Sequence, residues 1–238
     1  MFHPKGPTFW EQARQCFSST KVGYDMLAPK FEYTPYRTPD WMLDEVAKVL
    51  ARENFDSALD VCCGTGAGMR MLRPLAKERV VGIDFSDGML DEARQLLKDE
   101  ESDAELKFEK GDILQELNYD AEFDVATCFG ALGHIVGNDT APFLQRVRKT
   151  LKPGGRFVFL TCHKPPPSTI AFWFCHAFNF AMHVRNLLIR PKFIMFYFTF
   201  LLPEIQTMLE ENGFEVEVVA TDELKQYRVV VARRLPDG

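Results

Sequence analysis

The sequence predicts an α/β fold built around a mostly parallel β-sheet, and two observations support this prediction. Apolar runs rich in Val, Ile and Phe alternate along the chain with segments of helical periodicity. Such alternation is typical of β-α-β units, whose strands pair in parallel. In addition, 238 residues with 46% apolar and 26% charged side chains are ordinary values for one globular domain of this class.

The individual elements follow from this alternation. Seven strands are predicted, at 57–62, 79–84, 106–110, 123–129, 156–162, 214–220 and 227–233. Helices are predicted before and between them, at 8–18, 21–31, 39–53, 67–76, 87–98, 141–151 and 203–212. Ser86 is the predicted N-cap of the fifth helix. The last two strand-like runs are joined by a short polar segment, which fits an antiparallel hairpin at a sheet edge.

Composition narrows the function classes. The formal net charge of −6 gives no reason to expect a nucleic-acid partner. The N-terminal segment has no apolar stretch behind a basic start, so we expect a cytoplasmic protein. The six cysteines form no C-x-x-C pair and are expected to be reduced thiols. No carboxylate and histidine pattern predicts a metal site.

Charge is unevenly distributed along the chain. Residues 140–203 contain nine Lys or Arg and no Asp or Glu, so this stretch carries +9 while the rest carries −15.

A glycine-rich turn follows the first predicted strand. Gly64, Gly66 and Gly68 stand between that strand and a helix, where glycine lets a backbone pass close to a ligand. Asp84 ends the second strand, 20 residues after Gly64, where a carboxylate can accept hydrogen bonds from ribose hydroxyls. A dinucleotide fingerprint would need glycine at position 69, which is Met69. Because dinucleotides and other adenosine-containing cofactors all carry a ribose, Asp84 alone does not show which of these cofactors binds.

Five motifs in order along the chain resemble the class I S-adenosylmethionine-dependent methyltransferase family. They are LDVCCGTGAG, VVGIDFSDGMLDEAR, KGDILQEL, FDVATCFGALGHI and LKPGGRFVF. The resemblance covers about two thirds of the chain and implies a Rossmann-like, doubly wound, seven-stranded sheet of order 3-2-1-4-5-7-6, with its last strand antiparallel. It also implies one domain, with an N-terminal helical cap (1–38), a core (39–163), an insert (164–202) and a C-terminal helix and hairpin (203–238).

The same resemblance implies a binding site for S-adenosylmethionine. Gly64 and Gly66 would lie against the methionine half, Asp60 would organise the loop and Asp84 would hold the ribose. Phe85 and Met89 would flank the adenine, and Asp112 with the amide of Ile113 would bind its edge. The full set of cofactor-binding residues implied is Asp60, Gly64, Thr65, Gly66, Asp84, Phe85, Ser86, Met89, Gly111, Asp112, Ile113, Phe129 and Gly130.

Methyl transfer from a sulfonium requires mainly alignment, with a base only if the acceptor must lose a proton. His134 and His163 follow the fourth and fifth strands and are the candidate catalytic bases. His176 and His183 are further candidates in the insert.

The insert after the fifth strand is rich in aromatic residues. Within it a helix is predicted to end at Pro191, with one polar stripe at spacings of three and four residues: His176, Asn179, His183, Asn186 and Arg190. Three interpretations remain open. The helix covers the acceptor pocket with its apolar face, lies on a membrane surface through 168–202, or packs as a core or dimer helix with its polar stripe in water.

The leading function is methylation of a small lipophilic or aromatic acceptor on O, C or N. The predicted substrate-pocket residues come from the cap and the insert: Tyr24, Tyr33, Arg37, Phe172, His176, His183, Phe196 and Phe198. Two alternatives remain, a protein or nucleic-acid methyltransferase and a non-catalytic scaffold that binds the cofactor.

Overall fold

A single seven-stranded sheet organises the chain, whose computed structural model describes residues 3–99, 103–115 and 117–236. Its strands are β1 (Phe55–Val61), β2 (Ala76–Asp84), β3 (Glu105–Lys110), β4 (Phe123–Cys128), β5 (Leu151–Cys162), β6 (Phe214–Val219) and β7 (Tyr227–Arg234). The order is β3-β2-β1-β4-β5-β7-β6, and β7 runs antiparallel to both β5 and β6. The predicted fold class, strand order and edge hairpin are therefore confirmed.

Helices cover both faces of the sheet. They are α1 (Phe9–Cys16), α2 (Thr20–Leu27), α3 (Asp40–Leu50), α4 (Ala67–Leu72), α5 (Asp87–Leu97), α6 (Thr140–Thr150), α7 (Ile170–Leu188) and α8 (Glu204–Glu211). Ser86 caps α5 as predicted, since its hydroxyl accepts from the backbone N–H of Met89.

Several predicted boundaries differ from the structure by a few residues, and three of these differences involve proline. α2 ends at Leu27 and continues as a 3-10 turn over Ala28–Tyr33, because Pro29 cannot supply an α-helical N–H. α4 ends at Leu72 because Pro74, two residues later, has no N–H with which to continue the helical hydrogen bonds. β5 begins at Leu151, and its pairing with β4 shifts register across the segment that contains Pro153 and a left-handed Gly154.

The alternation of strand side chains builds two cores. Ala58, Val125 and Val158 point to the face covered by α3, α4 and α5. The adjacent strand positions, such as Ala126 and Phe157, point to the face covered by α6 and α8. Both faces of the sheet are therefore buried. β1 lies between β2 and β4 near the centre of the sheet, where the strand order reverses. Ligands of open α/β sheets bind in the crevice at this point.

The N-terminal helices lie over that crevice and are attached to α5. The carboxylate of Asp25 in α2 accepts from the hydroxyl of Ser86 at 2.6 Å and from the backbone N–H of Gly88 at 3.2 Å. These bonds join the cap to the N-terminus of α5, where a carboxylate is favoured by the free N–H groups.

α7 lies on the surface with its apolar side outward. Asn179 and Asn186 of the polar stripe face inward, toward the segment that follows Pro191 and runs back along α7. Asn179 exchanges two hydrogen bonds with the main chain of Tyr197, at 2.9 and 2.8 Å. Asn186 does the same with Phe193, both at 2.9 Å.

The orientation of α7 corrects the first interpretation of the insert, because an acceptor pocket walled by the apolar face would need that face inward. The two asparagines instead bind backbone groups that would otherwise lose their partners. A core helix is also wrong, because Asn186 is the one buried residue of α7, whereas a dimer helix stays a prediction. Within the described ranges, no helix is both long and apolar enough to cross a membrane.

Candidate functional site

A cavity opens at the carboxyl ends of β1, β2 and β4, beneath the N-terminal cap. Eleven of the residues predicted for cofactor binding line it: Asp60, Gly64, Thr65, Asp84, Phe85, Met89, Gly111, Asp112, Ile113, Phe129 and Gly130. Tyr24, Arg37 and His134 line the same cavity from the cap and from the turn after β4. Residues from three separate parts of the sequence therefore meet at one site.

The glycine turn after β1 opens directly onto this cavity. Gly64 has φ +53, and a Cβ added to it would meet no atom within 4 Å, so its backbone faces open space. Its N–H donates to Oδ2 of Asp84 at 2.9 Å, while Oδ1 accepts from the backbone N–H of Ser86 at 2.9 Å. Asp84 is only 5% exposed, and this burial raises its pKa to about 6.

Asp60 lies under the same turn. Its carboxylate accepts from the hydroxyl of Thr127 at 2.8 Å and lies so close to Gly68 that a Cβ there would be 2.4 Å from Oδ2. Position 68 therefore needs glycine, because any side chain there would collide with the carboxylate of Asp60. Burial raises the pKa of Asp60 to about 7.

Gly66 and Ser86 do not line the cavity. Gly66, at φ +87, faces α5, where an added Cβ would be 2.8 Å from a methyl group of Leu97. Its glycine is explained by helix packing and a left-handed turn rather than by a ligand. Ser86 is fully buried and caps α5.

The far end of the cavity is formed by the tips of β2 and β3. Phe85, Met89 and Ile113 provide its apolar surface. Asp112 accepts from the backbone N–H of Leu114 at 2.9 Å, so it also shapes the turn after β3. Asp84 and Asp112 both line the cavity, as their positions at the ends of neighbouring parallel strands predict.

Tyr24 of the cap and His134 of the turn after β4 form a half-buried pair in the cavity lining. The Tyr24 hydroxyl lies 2.8 Å from Nε2 of His134, and Nδ1 of the same ring contacts the carbonyl oxygen of Ile194. Nδ1 must therefore carry the proton, and Tyr24 donates to Nε2. Burial lowers the pKa of His134 and raises the pKa of Tyr24, so both groups are neutral near pH 7.

A second polar cluster fastens the cap to the glycine turn. The Thr65 hydroxyl donates to Oε1 of Glu32 at 2.6 Å, and Nε of Arg37 lies 2.8 Å from Oε2 of the same carboxylate. Arg37 also pairs with Asp40 at 2.5 Å. Because the Arg37 side chain is only 11% exposed, the cluster closes one side of the cavity.

Seven residues predicted for catalysis or the substrate pocket lie away from the cavity lining, which is a correction to their predicted placement. His163 follows β5 but bridges to Leu202 instead. Tyr33 stacks on His3 with ring centroids 4.8 Å apart. The remaining five form aromatic contacts between α7 and its returning segment, because the asparagine bonds hold these two pieces together: Phe172, His176, His183, Phe196 and Phe198.

Several lining residues had no signal in the sequence. Tyr36 and Thr38 come from the cap, Cys62 from the left-handed residue after β1, and Ile194 from the segment after α7. Ile194 is held at the site because its backbone N–H donates to the hydroxyl of Thr20 at 2.9 Å and Asn186 fixes the neighbouring Phe193. Within the described part of the chain, no cluster of three or more His, Cys, Asp or Glu side chains could hold a metal ion.

Comparisons with known proteins agree with this geometry. A family model described as a methyltransferase domain matches residues 58–155. A 2-phytyl-1,4-naphtoquinone methyltransferase of Nostoc punctiforme is 30% identical over 141 residues, which are 58% of this chain and 60% of that protein. A demethylmenaquinone methyltransferase of Staphylococcus aureus is 28% identical over 86% of this chain and 85% of that protein.

Solved structures show the same fold. The DhpI–SAH complex superposes with a TM-score of 0.66 at 19% identity, covering 94% of this chain and 99% of DhpI. An O-methyltransferase family protein from Burkholderia thailandensis gives a TM-score of 0.66 at 17% identity, covering 96% of this chain and 64% of that one.

Proposed function

The chain belongs to the class I S-adenosylmethionine-dependent methyltransferases, and we propose that it methylates a small lipophilic aromatic acceptor of the quinol type. The single observation that carries the proposal is the cavity itself. It presents the buried carboxylate of Asp84 and, beneath the cap, the Tyr24–His134 pair among apolar side chains. Two relatives named as quinone methyltransferases support the choice of acceptor class.

The residues around Asp84 fit the adenosine part of the cofactor. Asp84 accepts from the backbone N–H groups of Gly64, Ser86 and Phe85, and a carboxylate has about four lone-pair sites, so it retains room for a ribose hydroxyl. The backbone at Gly64 faces open space, as close passage of a ligand requires. Met89 and Ile113 supply an apolar surface for a base beside Asp112.

The bound cofactor supplies a methyl group already activated on sulfur. The chain's contribution is to hold the acceptor in line with that methyl and to exclude water. Alignment of two reactants is worth on the order of 7–11 kcal/mol of barrier. The cap supports this role, because Tyr24 and the Glu32–Arg37 pair cover the cavity from above.

The Tyr24–His134 pair provides a route for the proton of an acceptor hydroxyl. The hydroxyl donates to the oxygen of Tyr24, whose own proton passes to Nε2 of His134. Loss of that proton would make the acceptor's oxygen, or the ring carbon it activates, the nucleophile to which a bound S-adenosylmethionine would supply its methyl group. The raised pKa of Tyr24 disfavours a permanent phenolate, and the lowered pKa of His134 leaves Nε2 unprotonated and able to accept the proton.

Turnover of a naphthoquinol acceptor by Tyr24→Phe and His134→Asn variants tests this function. We expect kcat to fall by roughly 10²–10⁴-fold in each, the range for loss of acid–base assistance. Cofactor affinity measured by calorimetry separates this loss of kcat from a loss of binding, since Tyr24, whose pKa is raised by burial, also lies close enough to Asp84 for the charge of that carboxylate to raise it further. Tyr33→Phe is the matched control, because its ring stacks on His3 outside the cavity lining.

Two outcomes would contradict the proposal. Equal kcat for Tyr24→Phe and Tyr33→Phe would remove the proton route. Cofactor binding without turnover of any quinol or phenol would remove the acceptor class.

A further inference from the structure

The outer side of α7 is a continuous apolar surface. Its residues recur at the three- and four-residue spacing of one helix face and are mostly large: Ile170, Trp173, Phe174, Ala177, Phe180, Val184, Leu187 and Leu188. The exposed fractions are 89% for Ile170, 71% for Phe180 and 76% for Leu187. Contiguous exposed apolar surface of this kind marks an interaction site.

This outward orientation is fixed by the opposite side of the helix. Asn186, the one residue of α7 that is buried, is hydrogen-bonded to the main chain of Phe193. The guanidinium of Arg185 donates to the carbonyl oxygens of Cys16 and Ser18, at 2.8 and 2.7 Å, which ties α7 to the end of α1. Rolling α7 inward would break all of these bonds, so the apolar side stays in contact with solvent.

The charge around this surface has one sign. Residues 164–203 carry Lys164, Arg185, Arg190 and Lys192 and no acidic side chain, although the chain as a whole is acidic. Aromatic side chains beside an excess of Lys and Arg are typical of helices that lie at a membrane interface. Anionic lipid headgroups are attracted to such a surface.

We propose that α7 docks in the plane of an anionic lipid bilayer, with its apolar side inserted at the boundary between headgroups and acyl chains. A second copy of the chain is a poorer occupant. A two-fold interface centred on α7 would bring the same basic residues of both copies together, at a cost in repulsion.

In the docked orientation, only the segment that returns from α7 would lie between the bilayer and the cavity. The segment that returns from α7 packs on the turn after β4, where the backbone N–H of Phe196 donates to Gly133 at 2.8 Å. The same segment contributes Ile194 to the cavity lining. A lipophilic acceptor held in the membrane would therefore have a short path to the site, although the docking itself does not depend on the acceptor's identity.

Vesicle flotation of the purified full chain tests the docking directly and needs no turnover. Vesicles of equal parts phosphatidylcholine and phosphatidylglycerol should carry the protein upward, and pure phosphatidylcholine vesicles should carry much less. Added salt should weaken the binding by screening the charge attraction. The double variant Phe180→Glu/Leu187→Glu should lose about tenfold or more of its partitioning, as expected when two apolar side chains can no longer be buried.

The matched control is Trp41→Glu/Leu96→Glu, which adds the same two charges at exposed apolar positions of α3 and α5. It should float like the wild type. All proteins should bind the cofactor equally in calorimetry, which separates loss of docking from loss of folding and from failure of the proposed function.

Trp173 offers a second readout. In a protein with Trp10 and Trp41 changed to Phe, its fluorescence should shift to the blue and be quenched by brominated lipids. Absence of both flotation and quenching would overturn the proposal. Light scattering that shows a dimer dissociated by Phe180→Glu/Leu187→Glu would also overturn it and would assign the surface to a second copy.

Discussion

Among the residues of the cavity, Asp84 is a buried carboxylate whose hydrogen bonds do not offset the cost of burying its charge. Its hydrogen-bond donors are the backbone N–H groups of Gly64, Ser86 and Phe85, which lower its pKa. Burial therefore outweighs these bonds, and the pKa of Asp84 rises to about 6. A carboxylate held in this state is prepared for a partner that supplies a further hydroxyl donor.

We expect the affinity for S-adenosylhomocysteine to increase as the pH rises through about 6, because the ionised form of Asp84 can accept from a ribose hydroxyl. Asp84→Asn should weaken binding by roughly 10- to 100-fold, since hydrogen bonds to a charged group contribute about 1.5–3 kcal/mol. Calorimetric titrations at pH values from about 5 to about 8 measure both effects, because this range spans the pKa of Asp84. The control variant is Asp91→Asn, which changes an exposed carboxylate. A wild-type affinity that does not change with pH would contradict this role of Asp84. Equal affinities of Asp84→Asn and Asp91→Asn would also contradict it.

The sequence could predict those site residues that short motifs place in order. Gly64, Asp84 and Asp112 stand at strand ends, and parallel strands bring their carboxyl ends to one edge of a sheet. It could not predict that Gly66 faces Leu97, because spacing in a turn does not say which neighbour a backbone approaches. The Tyr24–His134 contact joins residues 110 positions apart, and no local pattern encodes such a contact.

At the scale of an element, α7 shows what helical periodicity does and does not determine. The spacing of His176, Asn179, His183 and Asn186 correctly placed these residues on one side of a helix. It did not determine which side faces inward, because that depends on the backbone of a segment that arrives later in the chain. The two asparagines bind the main chain of Tyr197 and Phe193 and so decide the orientation.

Replacing these two asparagines should have unequal effects. In Asn186→Leu the buried N–H and C=O of Phe193 lose their partners, and we expect the free energy of unfolding to fall by about 1–3 kcal/mol. Asn179→Leu removes the same pair of bonds from Tyr197, but water reaches that exposed site, so its loss should be smaller. Urea denaturation of both variants makes the comparison. Equal destabilisation would mean that the bonds to Phe193 do not hold the insert.

At the scale of the whole molecule, two buried carboxylates lie at the centre of the sheet. Burial raises the pKa of Asp60 to about 7 and that of Asp84 to about 6, and the described residues show no ion pair to either. The five motifs predicted the strand order that brings these residues together. They could not predict the cost of burying the charges, which depends on how completely the cap and α5 exclude water.

This cost should appear in the dependence of stability on pH. In the unfolded chain Asp60 ionises near pH 4, whereas in the folded protein it retains its proton to about pH 7. The folded state therefore binds more protons in this range, and its stability falls as the pH rises, by about 1.4 kcal/mol per pH unit in the limit of one such group. Above pH 7 the loss is complete and the contribution becomes constant.

Asp60→Asn isolates this effect, because an amide keeps an acceptor for Thr127 without a charge. The lowered pKa of His134 acts in the opposite direction, since that ring is protonated more readily in the unfolded chain, but it is common to both proteins and cancels in the difference. We expect the stability advantage of Asp60→Asn over the wild type to grow between pH 4 and pH 7 in urea denaturation. A difference that stays constant, or shrinks as the pH rises, would show that Asp60 is already ionised in the folded protein and that water or a cation reaches the base of the glycine turn.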